Sequence, residues 1–490
     1  MNQIILSVKS IQKQAAWLEN EKLQDLMIES IGHDDIVGEI FKGRVRQVVP
    51  GMQAAFVDIG FEKFAYLERK ELTAFRNSAE KKEISSLVHE GEELIVQVKK
   101  EGVGEKGPVV TELVEFPGKY LVYMPNSEYT AVSKKIEDEQ ERERLTKLGI
   151  RLRQEKEGII FRTECASTSD EQIEREWMFL KEKASQTFMK AKQLSAPAPL
   201  VRPQTIVERV IHEWPLSACD ELIVDSSEGK RLLVDQLQLF GYESIPVHLH
   251  KNSENIFVAY KLETAVEKAV KPFVWLKNGA NITIEQTEAL TVIDVNSGKF
   301  TGRTNKEKTL ADVNKEAAKE IARQLRIRNI GGIILVDFIN MRQSKFKQEV
   351  LKILRQETAK DRMTVHIIGF TRLGLVEVTR KKSRQSVSEL LTEKCSCCHG
   401  TGKTFTEEAS VTQLEQELIE YAGSDDEAVL IEVLPAFAEY VKQHWFEHLE
   451  AVCRKQIFFV RNAALKQRFH IRRLGEAAEL IESAKLLDNR

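Results

Sequence analysis

EALTVIDVNSGKF, residues 288–300, and GGIILVDFINM, residues 331–341, repeat one design. Each is an apolar run that reads as a strand and ends near an acid, Asp294 in the first and Asp337 in the second. Between them TNKEKTLADVNKEAAKEIARQLRIRN, residues 304–329, sets Leu310, Val313, Ala317, Ile321 and Leu325 at steps of three or four, the spacing of one helix face. Strand, helix, strand over about 45 residues is a crossover, so the two strands run parallel and side by side. Both acids then emerge at the C-terminal edge of the sheet, where open α/β sheets take their ligands.

Two carboxylates a few ångströms apart repel one another unless a proton or a cation lies between them. Mg²⁺ suits such a pair, because it takes oxygen ligands, uses one or two carboxylates, and leaves positions for water and a phosphate oxygen. Asn296, on the same side of the strand as Asp294, can orient a water or the scissile phosphate, and a metal-activated water attacking a phosphodiester is the reaction that follows. Each Asp could instead cap the turn after its strand. Spacing alone leaves both readings open.

The rest of the chain sets the context. Its 490 residues suggest about three domains or more. With 72 basic against 75 acidic residues the net charge is −3, so a polyanion must be met by local patches. The start, MNQIILSVKSIQKQ, lacks the pattern of a secretory signal, and no apolar run reaches the roughly 18 residues of a membrane span. These features predict a soluble, cytoplasmic protein with reduced isolated thiols at Cys165, Cys219 and Cys453. Residues 1–35 alternate as strands but are too few to close a core, so they must pair with later chain. Residues 36–112 are short β-runs punctuated by Gly and Pro, which suits a five-stranded barrel of the oligonucleotide-binding type. A mixed segment over 113–205 ends in the linker LSAPAPLVRPQ, and 206–269 is βαβ material able to complete the first strands. In the barrel, Phe56, Phe64 and Tyr66 fall on alternating positions near Lys42, Arg44 and Arg46, offering stacking faces beside cations for single-stranded nucleic acid. Phe64 is expected in the barrel core.

KCSCCHGTGK, residues 394–403, concentrates three of the six cysteines. Cys395 and Cys398 have the spacing that presents two thiolates to one Zn²⁺, which is half of a tetrahedral structural site. Cys397 and His399 are expected to point away from the ion, and Gly400 and Gly402 to give the turn its freedom. The pair of a second chain would complete a Cys₄ site, making the protein at least a dimer with one zinc per two chains. An unpaired redox dithiol is the alternative.

Four stretches in order, GEIFKGRV with PGMQAAFVDIG (38–45 and 50–60), LTVIDVNSGKFTG (290–302), EAAKEIARQLRIRNIGGIILVDFINM (316–341) and RLGLVEVTRKK (372–382), closely resemble the bacterial ribonuclease E/G family. The length suits its short form, which lacks a scaffold tail. The resemblance implies a multidomain α/β fold: a ribonuclease-H-like subdomain (1–35 plus 206–269) interrupted by the barrel (36–112) and a 5′-sensor region (113–205). A deoxyribonuclease-I-like catalytic subdomain (270–390), a zinc link (391–405) and a small C-terminal domain (406–490) follow. It further implies that Asp294 and Asp337 bind the catalytic magnesium with Asn296 in support. Phe56, Tyr66 and Lys106 match the barrel's RNA contacts, Arg162 and Thr163 the grip on a 5′-monophosphate, and Lys134 and Lys135 a basic pair near it. Cys395 and Cys398 match the zinc shared between chains in a homodimer or a dimer of dimers. Two departures stand out: ECASTSDEQ (164–172) replaces a glycine-containing loop after the sensor residues, and Ser396 and Cys397 depart from the usual link motif, Ser396 taking the place of a proline. The expected activity is magnesium-dependent endonucleolytic cleavage of single-stranded, A/U-rich RNA in rRNA and mRNA processing and decay. The competing classes are a non-catalytic RNA-binding or ribosome-maturation factor, and a zinc chaperone whose CxxCxGxG motif occurs four times where this chain has it once.

Overall fold

The computed structural model describes residues 1–29, 36–76, 82–102, 106–166, 168–202, 204–298, 306–382, 384–398 and 400–488. Two compact units divide the chain, Met1–Leu391 and Thr392–Arg490, and both mix helices with sheets.

The N-terminal strands find their partners far along the chain. Asn2–Ser7, Gln14–Glu19 and Lys22–Ile28 form an antiparallel meander, and Asn2–Ser7 also pairs in parallel with Glu221–Val224, itself flanked by Val247–Leu249. Both faces of this sheet are buried. Ile4 and Leu6 pack with Trp17, Met27 and Val224 on one side, and Ile5, Ala16 and Ile223 pack with Phe257 on the other, as the two-residue period of a strand requires. Asp225 secures the parallel register by accepting hydrogen bonds from Ser7 Oγ at 3.0 Å and Val8 N at 2.9 Å.

Between these halves lies a closed barrel. Ile40–Val49 pairs with Ala54–Asp58 through its second half and with Glu93–Lys100 through its first, and Ala65–Glu68 and Val109–Thr111 complete the circuit. A bulge between Val45 and Gln47 bends the long strand. At Gly43 an added Cβ would lie 2.5 Å from the Val57 side chain, so the strand is glycine where the neighbouring strand packs closest. Closure removes the unpaired edges of an open sheet. Next to the barrel in sequence, Thr130–Val132, Glu157–Phe161, Leu121–Pro125 and Phe116–Pro117 form a second sheet with helices Glu139–Leu152 and Asp170–Gln193. Asp138 and Ser169 accept backbone N–H bonds at the starts of these helices, the usual role of such residues at an N-cap.

A six-stranded sheet carries the two acids. Its order is Phe273–Trp275, Asn281–Gln286, Leu290–Asn296, Gly332–Asp337, Leu375–Arg380, Val365–Phe370. Helices Lys306–Ile327 and Ser344–Thr358 contribute apolar residues to its buried side, with Val313, Ala317, Ile321 and Leu325 in the core as their spacing predicts and Leu310 half-buried. The opposite face is open, and Phe273, Trp275, Val292 and Ile333 are exposed on it.

The C-terminal unit contains helix Glu407–Tyr421 and a three-stranded sheet, Gln456–Arg461, Ala428–Val433, Phe469–Gly475. Leu414, Leu418, Val429, Ile431, Phe437 and Leu449 form its core. Among the described residues no helix is long and apolar enough to cross a membrane.

Candidate active site

Asp294 and Asp337 are Cα partners on neighbouring parallel strands. Their side chains therefore leave the same face side by side, at about the 4.8 Å spacing of adjacent strands. Both are exposed, while Ile293, Val295 and Val336, one position away, are buried beneath them. Asn296 follows on the same face, and its Nδ2 donates to Asp294 Oδ2 at 2.7 Å. Among the described residues neither carboxylate accepts a backbone N–H, as a turn cap would. The pair fits the protein's share of a magnesium site, since Mg²⁺ uses one or two carboxylates, and among the described residues no His, Cys, Asp or Glu cluster of three or more has metal-binding geometry.

Residues that the sequence did not single out hold this geometry. Asn314, fully buried in the middle of helix Lys306–Ile327, donates to Ile339 O at 2.8 Å and accepts from Ile339 N at 3.1 Å. Glu307 takes the backbone N–H groups of Arg342 and Gln343 at 3.1 and 3.0 Å. Together they clasp the loop that leaves Asp337. Behind it, Arg380 pairs with Asp361 through two contacts of 2.9 and 3.1 Å and donates to Ile330 O at 3.0 Å and Asn329 Oδ1 at 3.1 Å, with both charged side chains almost wholly buried. Because Arg380 is the register partner of Gly332, this knot fixes the start of the strand that ends in Asp337. Arg372 stands exposed on the hairpin leading into Leu375, the register partner of Asp337.

The residues expected at the 5′ end converge at a second edge. Thr130–Val132 and Glu157–Phe161 run parallel, so Ser133, Lys134 and Lys135 leave one strand beside Arg162 and Thr163 leaving the other. Ser133 Oγ and Thr163 Oγ1 lie 3.1 Å apart, and Lys134, Lys135 and Thr163 are exposed. Arg162 is half-buried and Nη1 donates to Gly118 O at 2.5 Å. Glu176 organises the backbone behind it: its carboxylate accepts the N–H groups of Lys119, Tyr120 and Leu121 at 2.5, 2.8 and 2.9 Å. Gly118 is required there, since a Cβ would lie 2.4 Å from Glu176 Oε1. Burial pushes the Glu176 carboxyl up to about 7 against the pull of those three N–H groups. Buried Lys119, whose amine desolvation lowers to about 8, caps helix Ile206–Glu213 by donating to Ile211 O at 2.9 Å and also reaches Trp214 O at 3.2 Å. Of the divergent segment after Thr163, Cys165 is buried and donates to Tyr120 O at 2.9 Å, so this loop is tied to the same backbone.

In the barrel, Phe56 and Tyr66 are cross-strand partners with ring centroids 6.0 Å apart, edge to face, and both are half-buried. Lys106 is exposed. The adjoining Gly107 packs so closely on the Phe64 carbonyl that a Cβ would lie 2.1 Å away, and Tyr66 N donates to Pro108 O at 2.7 Å. Phe64 departs from its expected core position: it lies in the turn before Ala65–Glu68 and is 45% exposed. The neighbouring cations also differ from expectation. Lys42 and Arg44 both pair with Glu93, at 2.7 and 2.8 Å, and Arg46 pairs with Asp58 at 2.6 Å. The two cations hold the Glu93 carboxyl down at about 2. Lys106 itself precedes Pro108, the acceptor of the Tyr66 N–H bond, by two residues.

In the C-terminal unit Cys395 and Cys397 are exposed and Cys398 half-buried. Backbone N–H groups of Cys398 and Cys397 and the Cys398 thiol point at the Cys395 sulfur and lower its pKa, which favours the thiolate a metal needs. Gly400 and Gly402 have φ of +89° and +66°, the left-handed backbone expected of them. The Cys397 thiol also approaches Cys395. His399 lies outside the described residues.

The chain is similar to known proteins over most of its length. A family model described as Ribonuclease E/G family matches residues 115–383. Ribonuclease G of Salmonella typhimurium is 35% identical over 472 residues, 93% of this chain and 96% of that protein, and ribonuclease G of Haemophilus influenzae is 35% identical over 90% of this chain and 91% of its own length. Ribonuclease E of a Nostoc species is 36% identical over 80% of this chain and 57% of that protein. The chain therefore belongs to the ribonuclease E/G family, and its likeness to the ribonuclease G proteins runs almost end to end.

Proposed function

We propose that this member of an endoribonuclease family is a Mg²⁺-dependent enzyme of the cytoplasm that cuts single-stranded, A/U-rich RNA in rRNA and mRNA processing and decay, favouring 5′-monophosphorylated ends. The observation that carries the reading is the register of Asp294 against Asp337 on an exposed sheet face, with Asn296 bonded to the first. Asp294 and Asp337 would hold the Mg²⁺, which would supply a Lewis acid for the scissile phosphodiester and a more acidic bound water. The protein's own part is to hold both acids rigidly, through the Asn314 and Glu307 clasp and the Arg380 knot, and to place RNA across them. In this reading the sheet built from residues 2–28 and 221–249 is the ribonuclease-H-like subdomain, and the six-stranded sheet is the deoxyribonuclease-I-like one. Phe56, Tyr66 and Lys106 hold an unpaired strand by stacking and charge, which a base-paired strand cannot satisfy.

Purified protein should cut a single-stranded oligonucleotide and leave the same sequence intact in a duplex. Equal cleavage of both would contradict the reading. At the 5′ end, Arg162 offers a planar charged fork and Thr163 a neutral donor for a phosphate monoester. Arg162→Ala should narrow the rate difference between 5′-monophosphate and 5′-hydroxyl substrates by about tenfold or more, the worth of a charge-assisted contact. A ratio near one in the unmodified protein would remove the sensor role.

Cys395 and Cys398 supply two thiolates to a Zn²⁺ that a second chain's pair completes, which makes the protein a homodimer or a dimer of dimers. Exchanging both for Ser should release zinc and weaken the dimer, as read by metal analysis and light scattering, whereas Cys397→Ser should do little. One zinc per chain in a monomer would show a site closed within one chain.

A further inference from the structure

We propose that Phe273 and Trp275 form a base-stacking platform for the RNA strand whose phosphodiester lies over Asp294 and Asp337. The inference rests on the nuclease reading above and adds to it a binding site on the catalytic sheet itself.

Register puts the pieces on one surface. Phe273 pairs with Thr283, Thr283 with Asp294, and Asp294 with Asp337, while Trp275 pairs with Asn281 and Asn281 with Asn296. Partners across a sheet point to the same face, so both rings stand on the open face that carries the acids, two strands and about 10 Å from Asp294. Val274 between them packs toward the core, which fixes the rings outward. Phe273 is 44% and Trp275 67% exposed, and their centroids lie 4.9 Å apart, edge to face. The platform is tied to the site: an added Cβ on Gly298, just past Asn296, would lie 2.4 Å from Gly279 O in the turn that follows Trp275. Exposed Lys271 and Lys277 bracket the strand.

The chemistry selects a nucleobase as the occupant. Aromatic faces beside cations hold successive bases with little regard to sequence, and a strand crossing the acids continues over this edge. A second copy of the chain could also cover an apolar face, but the lysines at both ends of the rings complement phosphates.

The test is an RNA in which one abasic nucleotide is moved stepwise along the strand, with cleavage followed under single-turnover conditions. In the unmodified protein one position near the cut should slow cleavage about tenfold, the scale of one lost base stack. The Phe273→Ala, Trp275→Ala double variant should show that loss with intact RNA and no further loss at that abasic position, and restoring an aromatic with Trp275→Phe should recover most of the rate. Independent, multiplying losses, or no sensitive position, would overturn the platform. Binding of intact RNA in EDTA should also quench Trp275 fluorescence, a signal absent from Trp275→Phe. Trp17, Trp177 and Trp214 are buried, and Trp445 in the other unit gives the residual signal. Because this binding needs no cleavage, its loss overturns the platform alone, whereas cleavage that survives Asp294→Asn overturns the nuclease reading alone. A flat abasic scan together with a lower mass of the double variant by light scattering would assign the face to a second copy of the chain.

Discussion

Replacing Asp294 or Asp337 by Asn should lower the single-turnover rate of RNA cleavage by about 10³-fold or more, because on the proposed mechanism a metal held by both acids would supply several kcal/mol of charge stabilisation. RNA affinity should stay close to that of the unmodified protein. Phe56 and Tyr66 lie on a different sheet, with Lys106 just before its strand Val109–Thr111, and Asn keeps the shape of Asp at an exposed strand position. The fold should also be unaffected, since each substitution relieves repulsion between two carboxylates in register. Unchanged melting and binding with lost cleavage isolates the chemical role. A near-normal rate in either variant would remove these acids from the reaction.

The largest expected effect on stability lies beneath the same strands. Arg380→Ala should cost about 3–5 kcal/mol, because it leaves the Asp361 charge buried and unpaired. Lys should not substitute well, since Arg380 serves four acceptors at once with a planar fork. A matched apolar pair, Arg380→Met with Asp361→Leu, should recover much of the loss, as replacing both partners removes the uncompensated charge. Urea unfolding followed by tryptophan fluorescence reads each value. A loss below about 1 kcal/mol for Arg380→Ala would mean that the ion pair does not anchor the strand.

The elements that position the acids were legible because their signals are local. The apolar runs ending at Asp294 and Asp337, and the helix face from Val313 to Leu325, announce themselves by period. What stayed hidden depends on partners distant in sequence. Arg380 sits in a recognisable motif, yet nothing local says that it meets Asp361. Lys42 and Arg44 read as free cations until the barrel closes and brings Glu93 against both. Glu176 lies in a charged helix, and its one signal is position: it falls between Ile173 and Leu180 on the buried face, where a carboxylate needs donors. The sequence holds the chemical types, and burial decides which of them work together. Phe64 shows the converse, an aromatic in a β-rich stretch that the chain places in a turn.

The central claim is that Asp294 and Asp337 act on RNA through one shared Mg²⁺. Single-turnover cleavage of a 5′-monophosphorylated single-stranded RNA, titrated from EDTA into Mg²⁺, tests it most directly. The account predicts no cleavage in EDTA, a saturable rise with Mg²⁺, and no comparable rise in Asp337→Asn at any concentration. Cleavage that persists in EDTA, or that Asp337→Asn supports at the full rate in Mg²⁺, would contradict it.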